Sequence, residues 1–122
     1  MKYINRKLSF ENVSIQNIAK KYGTPTYCYS YNKIKENITS FKKSFNSISP
    51  LICFAIKSNC NVNLIREIKK FGLGADVVSM GELLIALKTG VNPKKIVFSG
   101  VGKTSEEIGY AIDKKILLIN AE

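Results

Sequence analysis

The sequence predicts an α/β fold built on a parallel sheet. Two observations carry that expectation. From Leu51 onward, four β-prone runs alternate with three segments of helical periodicity, at a spacing of roughly 20 residues. The helical segments are punctuated by capping residues, glycines and a proline. Strands separated by helices in this way run parallel and are joined by right-handed crossovers. Such a series builds an open sheet or part of a closed barrel, and periodicity does not choose between them.

The elements follow in order. Ser14 is placed to cap a short helix with Ile15, Ile18, Ala19 and Tyr22 on one face; Gly23 ends it and Pro25 prevents its continuation. Thr26-Tyr27-Cys28-Tyr29 is β-prone. Ser30 caps a longer helix with Tyr31, Ile34, Ile38, Phe41, Phe45 and Ile48 spaced by three and four, and Pro50 closes that segment. A strand over 51–57 precedes a helix from about 62 to 71, which carries Leu64, Ile65, Ile68 and Phe71 on one face and ends at Gly72. A strand at 75–78 comes next. Ser79 and Glu82 then fit a capping box, in which each side chain satisfies the other residue's backbone N–H. That helix buries Leu83, Leu84 and Leu87 and ends at Gly90, before Pro93. After a strand at 96–98, Thr104 and Glu107 form a second capping box for a helix with Ile108, Ala111 and Ile112. Residues 115–119 read as the fourth strand.

Composition narrows the function classes. A chain of 122 residues with 45% hydrophobic residues is an ordinary small globular domain. No apolar run approaches the roughly 20 residues of a membrane span. The basic start, Met1 to Lys7, has no apolar stretch behind it and does not read as a secretory signal. Three cysteines (Cys28, Cys53, Cys60) without a CxxC pair argue against a disulfide framework and a zinc site, so a cytoplasmic location is expected. The absence of histidine excludes Ser-His or Cys-His catalysis and histidine-ligated metal within this sequence. The net charge of +10 comes largely from scattered lysine pairs at helix ends and turns, and the only arginines are Arg6 and Arg66. A nucleic-acid partner is not expected.

Lys57 is the leading candidate for chemistry. It closes the run Leu51 to Ile56, at the carboxyl end of a strand, where active groups of parallel α/β folds collect. An ammonium withdrawn from water is costly, and a deprotonated lysine attacks carbonyl carbon. The plainer reading is a lysine that has reached solvent at a strand end. Alternation places Cys53, Ala55 and Lys57 on one face and Ile52, Phe54 and Ile56 on the other, leaving room for something flat beside the lysine. Asp76, inside the next strand, needs a cation or a donor unless it sits at a solvated strand start; Lys57 is the expected partner. The loop Ser99-Gly100-Val101-Gly102-Lys103-Thr104 imitates a phosphate loop, but Val97 stands where its first glycine belongs, so nucleotide hydrolysis is not expected. A lone anion at that helix start stays open.

Several motifs together resemble one family. Phe54-Ala55-Ile56-Lys57-Ser58-Asn59 is similar to the Y-A-V-K-A-N motif of the fold-type III pyridoxal-phosphate decarboxylases. The stretch from Gly74 to Leu83 resembles their G-x-D-V-V-S-x-G-E-L. Ser99 to Thr104 with Glu106-Glu107 resembles the loop and helix that follow, and Asn120-Ala121-Glu122 resembles an N-x-E at the end of the fourth barrel strand. Val-Val-Ser before Gly-Glu-Leu points to the diaminopimelate decarboxylase branch. The resemblance runs from about Gly23 to the last residue, with Met80 in place of a usual glycine and Phe54 and Ser58 in place of Tyr and Ala.

The resemblance implies a partial eight-stranded (β/α) TIM-type barrel. This chain would supply about four parallel strands and three crossover helices, after a short helix, a strand and a long helix. Residues 1–29 would precede the barrel, and 30–122 would form its amino-terminal part, ending after strand 4. Pyridoxal 5'-phosphate would join Lys57 as a Schiff base, with Ala55 against the cofactor and Asp76 near the Schiff-base nitrogen. The family reaction is decarboxylation of meso-2,6-diaminopimelate to L-lysine, and the full-length family implies a homo-oligomer. The family's cofactor-stacking histidine, glycine-rich phosphate loop, pyridine-pairing acid and carboxyl-terminal β domain have no counterpart in these 122 residues. Alone, a sheet with two open edges is expected to be marginally stable and prone to association. Three readings follow: a piece of the decarboxylase, a module that binds the cofactor without turnover, and an inactive remnant.

Overall fold

The computed structural model describes residues 1–45 and 47–121, which divide into two compact units, Met1–Asn46 and Ser47–Glu122. Each is described by itself.

The first unit opens with an antiparallel meander of β1 (Lys2–Ile4), β2 (Lys7–Phe10) and β3 (Val13–Ser14). Sequence patterning did not predict it. Its two tight turns, Asn5-Arg6 and Glu11-Asn12, hold both residues at positive φ. That backbone matches the twist of paired strands, but it is usually signalled by Asn-Gly or Asp-Gly. Helix α1 (Ile15–Tyr22) follows and stops at Gly23, whose φ of 80° suits a residue without Cβ. Ser14 stands at its start, yet the hydroxyl makes no capping bond and is buried without a partner among the described residues. Thr26 to Tyr29 is not a strand: all four residues are exposed and pair with no strand among the described residues. β-propensity without a partner makes no sheet. Helix α2 (Tyr31–Lys43) begins as expected at Ser30, whose Oγ accepts the Lys33 N–H at 3.0 Å. Ser30 also donates to the Glu11 carboxylate, which accepts the Asn32 N–H at 2.8 Å. The helix ends at Lys43, short of the apolar spacing that runs on to Ile48.

The second unit contains the predicted alternation: β4 (Cys53–Ala55), α3 (Val62–Lys70), β5 (Gly74–Val77), α4 (Met80–Lys88), β6 (Ile96–Phe98), α5 (Ser105–Asp113) and β7 (Leu118–Ile119). The four strands are all parallel and lie in the order β4-β5-β6-β7. Their register has a constant step of 21 residues, so that Ala55, Asp76, Val97 and Leu118 stand side by side. Ala75, Val77, Ile96 and Phe98 are buried and pack into one core with Ile56, Ile65, Leu83 and Ala86. Cys53, Ala55, Asp76 and Val97 alternate with them and are only half-buried.

Helix starts anchor the loops at the strands' carboxyl ends. Ser79 Oγ accepts the Glu82 N–H at 3.3 Å, but the Glu82 carboxylate takes the Val78 N–H at 2.9 Å instead of the one on Ser79. The expected reciprocal box is therefore only half made: Glu82 reaches one residue further back. The Thr104–Glu107 box is complete. No helix among the described residues is long and apolar enough to cross a membrane.

Candidate active site

Strand β4 is shorter than patterning suggests. It stops at Ala55, and Ile56–Ser58 tighten into a single 3-10 turn. Ser58 Oγ donates to the Ala55 carbonyl at 2.7 Å, and the Asn59 N–H donates to the Ile56 carbonyl at 2.9 Å. Ile56 is fully buried and pins this turn into the core. Lys57 is the next residue and is exposed. It thus sits just past the carboxyl end of β4 and does not extend the strand face of Cys53 and Ala55.

Asp76 lies directly across from Ala55 in the β4–β5 ladder. The expected ion pair with Lys57 is not made among the described residues. Asp76 Oδ1 instead accepts a hydrogen bond from Ser99 Oγ at 2.7 Å. The reason lies in the register. Asp76 pairs with Val97 on β6, and Ser99 is the residue just past that strand, so a hydroxyl is already at hand for the half-buried carboxylate. Ser99 Oγ in turn accepts from Asn120 Nδ2 at 3.0 Å. Lys103 Nζ donates to the carbonyls of Gly100 and, at 2.7 Å, Asn120, and lies 5.7 Å from the centre of the Phe98 ring. The lysine of the loop that imitates a phosphate site is thus engaged within the chain.

Burial, first, and the charge of Asp76, second, push the Cys53 thiol above its ordinary pKa. Glycine at 74 is required beside it. A Cβ there would stand 2.1 Å from the Lys95 carbonyl oxygen and 2.9 Å from Cys53 Sγ.

Of the residues singled out from sequence, Ala55 and Asp76 are therefore neighbours, and Lys57 follows Ala55 by two positions. Glu122, the acidic member of the N-x-E resemblance, lies outside the described residues. Ser99 and Asn120 were not anticipated as site residues. The 21-residue step could have found them, because 57, 78, 99 and 120 continue it.

Residues 31–122 match the pattern described as "Pyridoxal-dependent decarboxylase, pyridoxal binding domain". The chain belongs to the pyridoxal-dependent decarboxylase family. It is 43% identical to diaminopimelate decarboxylase from Aquifex aeolicus over its whole length, which is 29% of that relative. Among solved structures, it is similar to diaminopimelate decarboxylase from Helicobacter pylori complexed with L-lysine: 40% identity, TM-score 0.84, covering 88% of this chain and 27% of that one. It is also similar to the M. jannaschii enzyme in co-complex with L-lysine: 36% identity, TM-score 0.89, covering 94% of this chain and 28% of that one. The chain thus spans somewhat under a third of the length of these relatives. Its second unit is the β/α portion of a TIM-type barrel, as the family resemblance implied.

The residues present suit a flat aldehyde cofactor. Cys53, Ala55 and Gly74 line β4 and β5 with small side chains. An exposed primary amine stands at the end of β4, and a carboxylate with one oxygen already satisfied stands beside Ala55.

Proposed function

We propose that this chain forms the pyridoxal-phosphate-binding part of a diaminopimelate decarboxylase. Lys57 is the residue to which the cofactor aldehyde is joined, Ala55 is the wall against which its ring lies, and Asp76 is the carboxylate that faces the lysine nitrogen. Residues 30–122 then contribute to the barrel and 1–29 precede it. When bound, pyridoxal 5'-phosphate supplies the electron sink that decarboxylation of an α-amino acid requires.

The remaining roles belong to side chains on the page. Ala55 carries only a methyl group, so an aromatic ring can approach the β4 backbone. Lys57 is the middle residue of a turn held by Ile56 and Ser58, which fixes where its backbone stands past the end of β4. A negative charge at Asp76 stabilises positive charge on a nitrogen brought near it. The observation that carries this reading is the register pair Ala55–Asp76 with an exposed Lys57 two residues on. Identity to diaminopimelate decarboxylases supports meso-2,6-diaminopimelate as substrate and L-lysine as product. A homo-oligomeric assembly and a cytoplasmic location belong to the same proposal.

The test is site-specific trapping. The chain is incubated with substoichiometric pyridoxal phosphate, reduced with borohydride, and mapped by peptide mass spectrometry. The label is expected on Lys57 and is expected to vanish in Lys57→Ala. A label spread evenly over surface lysines, unchanged by that substitution, would refute the assignment.

A further inference from the structure

We propose that Ser99 and Asn120 form a positioning pair that sets the direction of the Asp76 carboxylate at the strand end that Lys57 follows. This inference rests on the Lys57 reading above and deepens it.

The hydrogen bonds run one way. An ionised carboxylate can only accept, and a side-chain amide nitrogen can only donate. Asn120 Nδ2 donates to Ser99 Oγ at 3.0 Å, and Ser99 Oγ donates to Asp76 Oδ1 at 2.7 Å. The serine hydroxyl has a single hydrogen. With the asparagine donor on its acceptor side, that hydrogen is directed at the aspartate. Rotating the Asn120 amide by half a turn would set its oxygen against Ser99 and demand a second hydroxyl hydrogen, which does not exist. The order Asn120 to Ser99 to Asp76 is thus the one consistent assignment.

The pair is itself held at strand ends. The Ser99 N–H donates to the Val77 carbonyl at 2.8 Å, and the Asn120 N–H donates to the Phe98 carbonyl at 2.9 Å. Lys103 Nζ donates to the Asn120 backbone carbonyl at 2.7 Å. Three adjacent strands, β5, β6 and β7, each contribute one member at or near the carboxyl end. The Ser99 bond falls on Oδ1, and Oδ2 is the oxygen this proposal assigns to a positive nitrogen. A purely structural hydroxyl would satisfy the carboxylate equally well, so the experiment must separate the two roles.

The measurement is the apparent affinity of pyridoxal phosphate for Lys57, read by borohydride-trapped label at that residue, with thermal unfolding of each variant in parallel. Ser99→Ala is expected to weaken it about tenfold. Ser99→Thr, which keeps the hydroxyl, is expected to stay within about twofold of the parent. Asn120→Ala, which leaves Ser99 in place, is expected to fall between, and it serves if Ser99→Ala does not fold. In an Asp76→Asn background, Ser99→Ala should add no further loss, because Ser99 acts only through Asp76. Label on Lys57 that is insensitive to Ser99→Ala and Asn120→Ala, or losses that add in the double variant, would overturn the positioning role and leave Lys57 standing. Loss of affinity that follows melting temperature, with no rescue by threonine, would equally overturn it. Absence of label at Lys57 in the parent chain would remove the Lys57 reading and this inference with it.

Discussion

The Glu107 carboxylate accepts the backbone N–H of Met80 at 2.8 Å, across 27 residues of sequence. The same carboxylate closes the capping box with Thr104, so one side chain ties the start of α4 to the start of α5. The backbone bonds, from Thr104 first and from Met80 next, hold the Glu107 pKa below the ordinary glutamate value. A carboxylate with a lowered folded-state pKa contributes stability above its unfolded pKa and loses that contribution as pH falls through the folded one. The chain should therefore lose stability in acid, starting below about pH 4.3. Glu107→Gln should lower the melting temperature at neutral pH and flatten this acid limb. Equal acid slopes in melts of the two proteins would refute the account.

Cys53 tests the charge on Asp76 without any cofactor. Its thiol is pushed up by burial and, secondarily, by Asp76, whereas Cys28 and Cys60 are exposed. Only the thiolate is alkylated, so Cys53 should be the slowest of the three near pH 8, about half a unit below the ordinary thiol pKa. Asp76→Asn should speed Cys53 selectively. Peptide-resolved iodoacetamide labelling measures all three in one sample. Unchanged Cys53 labelling in Asp76→Asn would contradict the proximity of the two groups.

Gly74 has no room for a side chain. An added Cβ would meet the Lys95 backbone carbonyl at 2.1 Å, and a carbonyl in a 3-10 turn next to β6 cannot step aside cheaply. Gly74→Ala should cost about 3 kcal/mol or more in urea unfolding. Gly109→Ala, inside α5 with open space around it, should instead stabilise by about 0.5–1 kcal/mol. The opposite signs make the pair a control for each other.

The alternation that defines the second unit was legible because its helices carry strong local signals. The Thr104–Glu107 box is an example: two residues three positions apart suffice to specify it, and it forms complete. The first unit was less legible, since Asn5-Arg6 and Glu11-Asn12 turn a chain through backbone angles that neither residue pair advertises. At the site, strand patterning put Ala55 and Lys57 on one face and made Lys57 the partner of Asp76, whereas the register sets Ala55 opposite Asp76. It erred on Lys57, because it assumed a strand that continued past Ala55. The turn there depends on Ile56 finding a place in the core, a tertiary event with no local signature. Asp76 likewise took its partner from β6 rather than β4. Sequence spacing alone does not rank two neighbouring strands as donors.

Lys103 gives the last test, because its sequence context suggests a phosphate ligand while its geometry shows a brace. Its ammonium bonds the Gly100 and Asn120 carbonyls and lies near the Phe98 ring, joining the loop after β6 to the end of β7. Lys103→Met keeps most of the stem but leaves both carbonyls without this donor. The loss should be about 1.5 kcal/mol, the low end for charge-assisted bonds, because the residue is only half-buried. Amide hydrogen exchange should rise over 100–104 and at Asn120 while the β5 amides stay protected. Titration with ATP should show no affinity for Lys103→Met to lose. Saturable ATP binding to the parent that disappears in Lys103→Met would mean that the lysine leaves its carbonyls for phosphate, and the brace would then be a resting position.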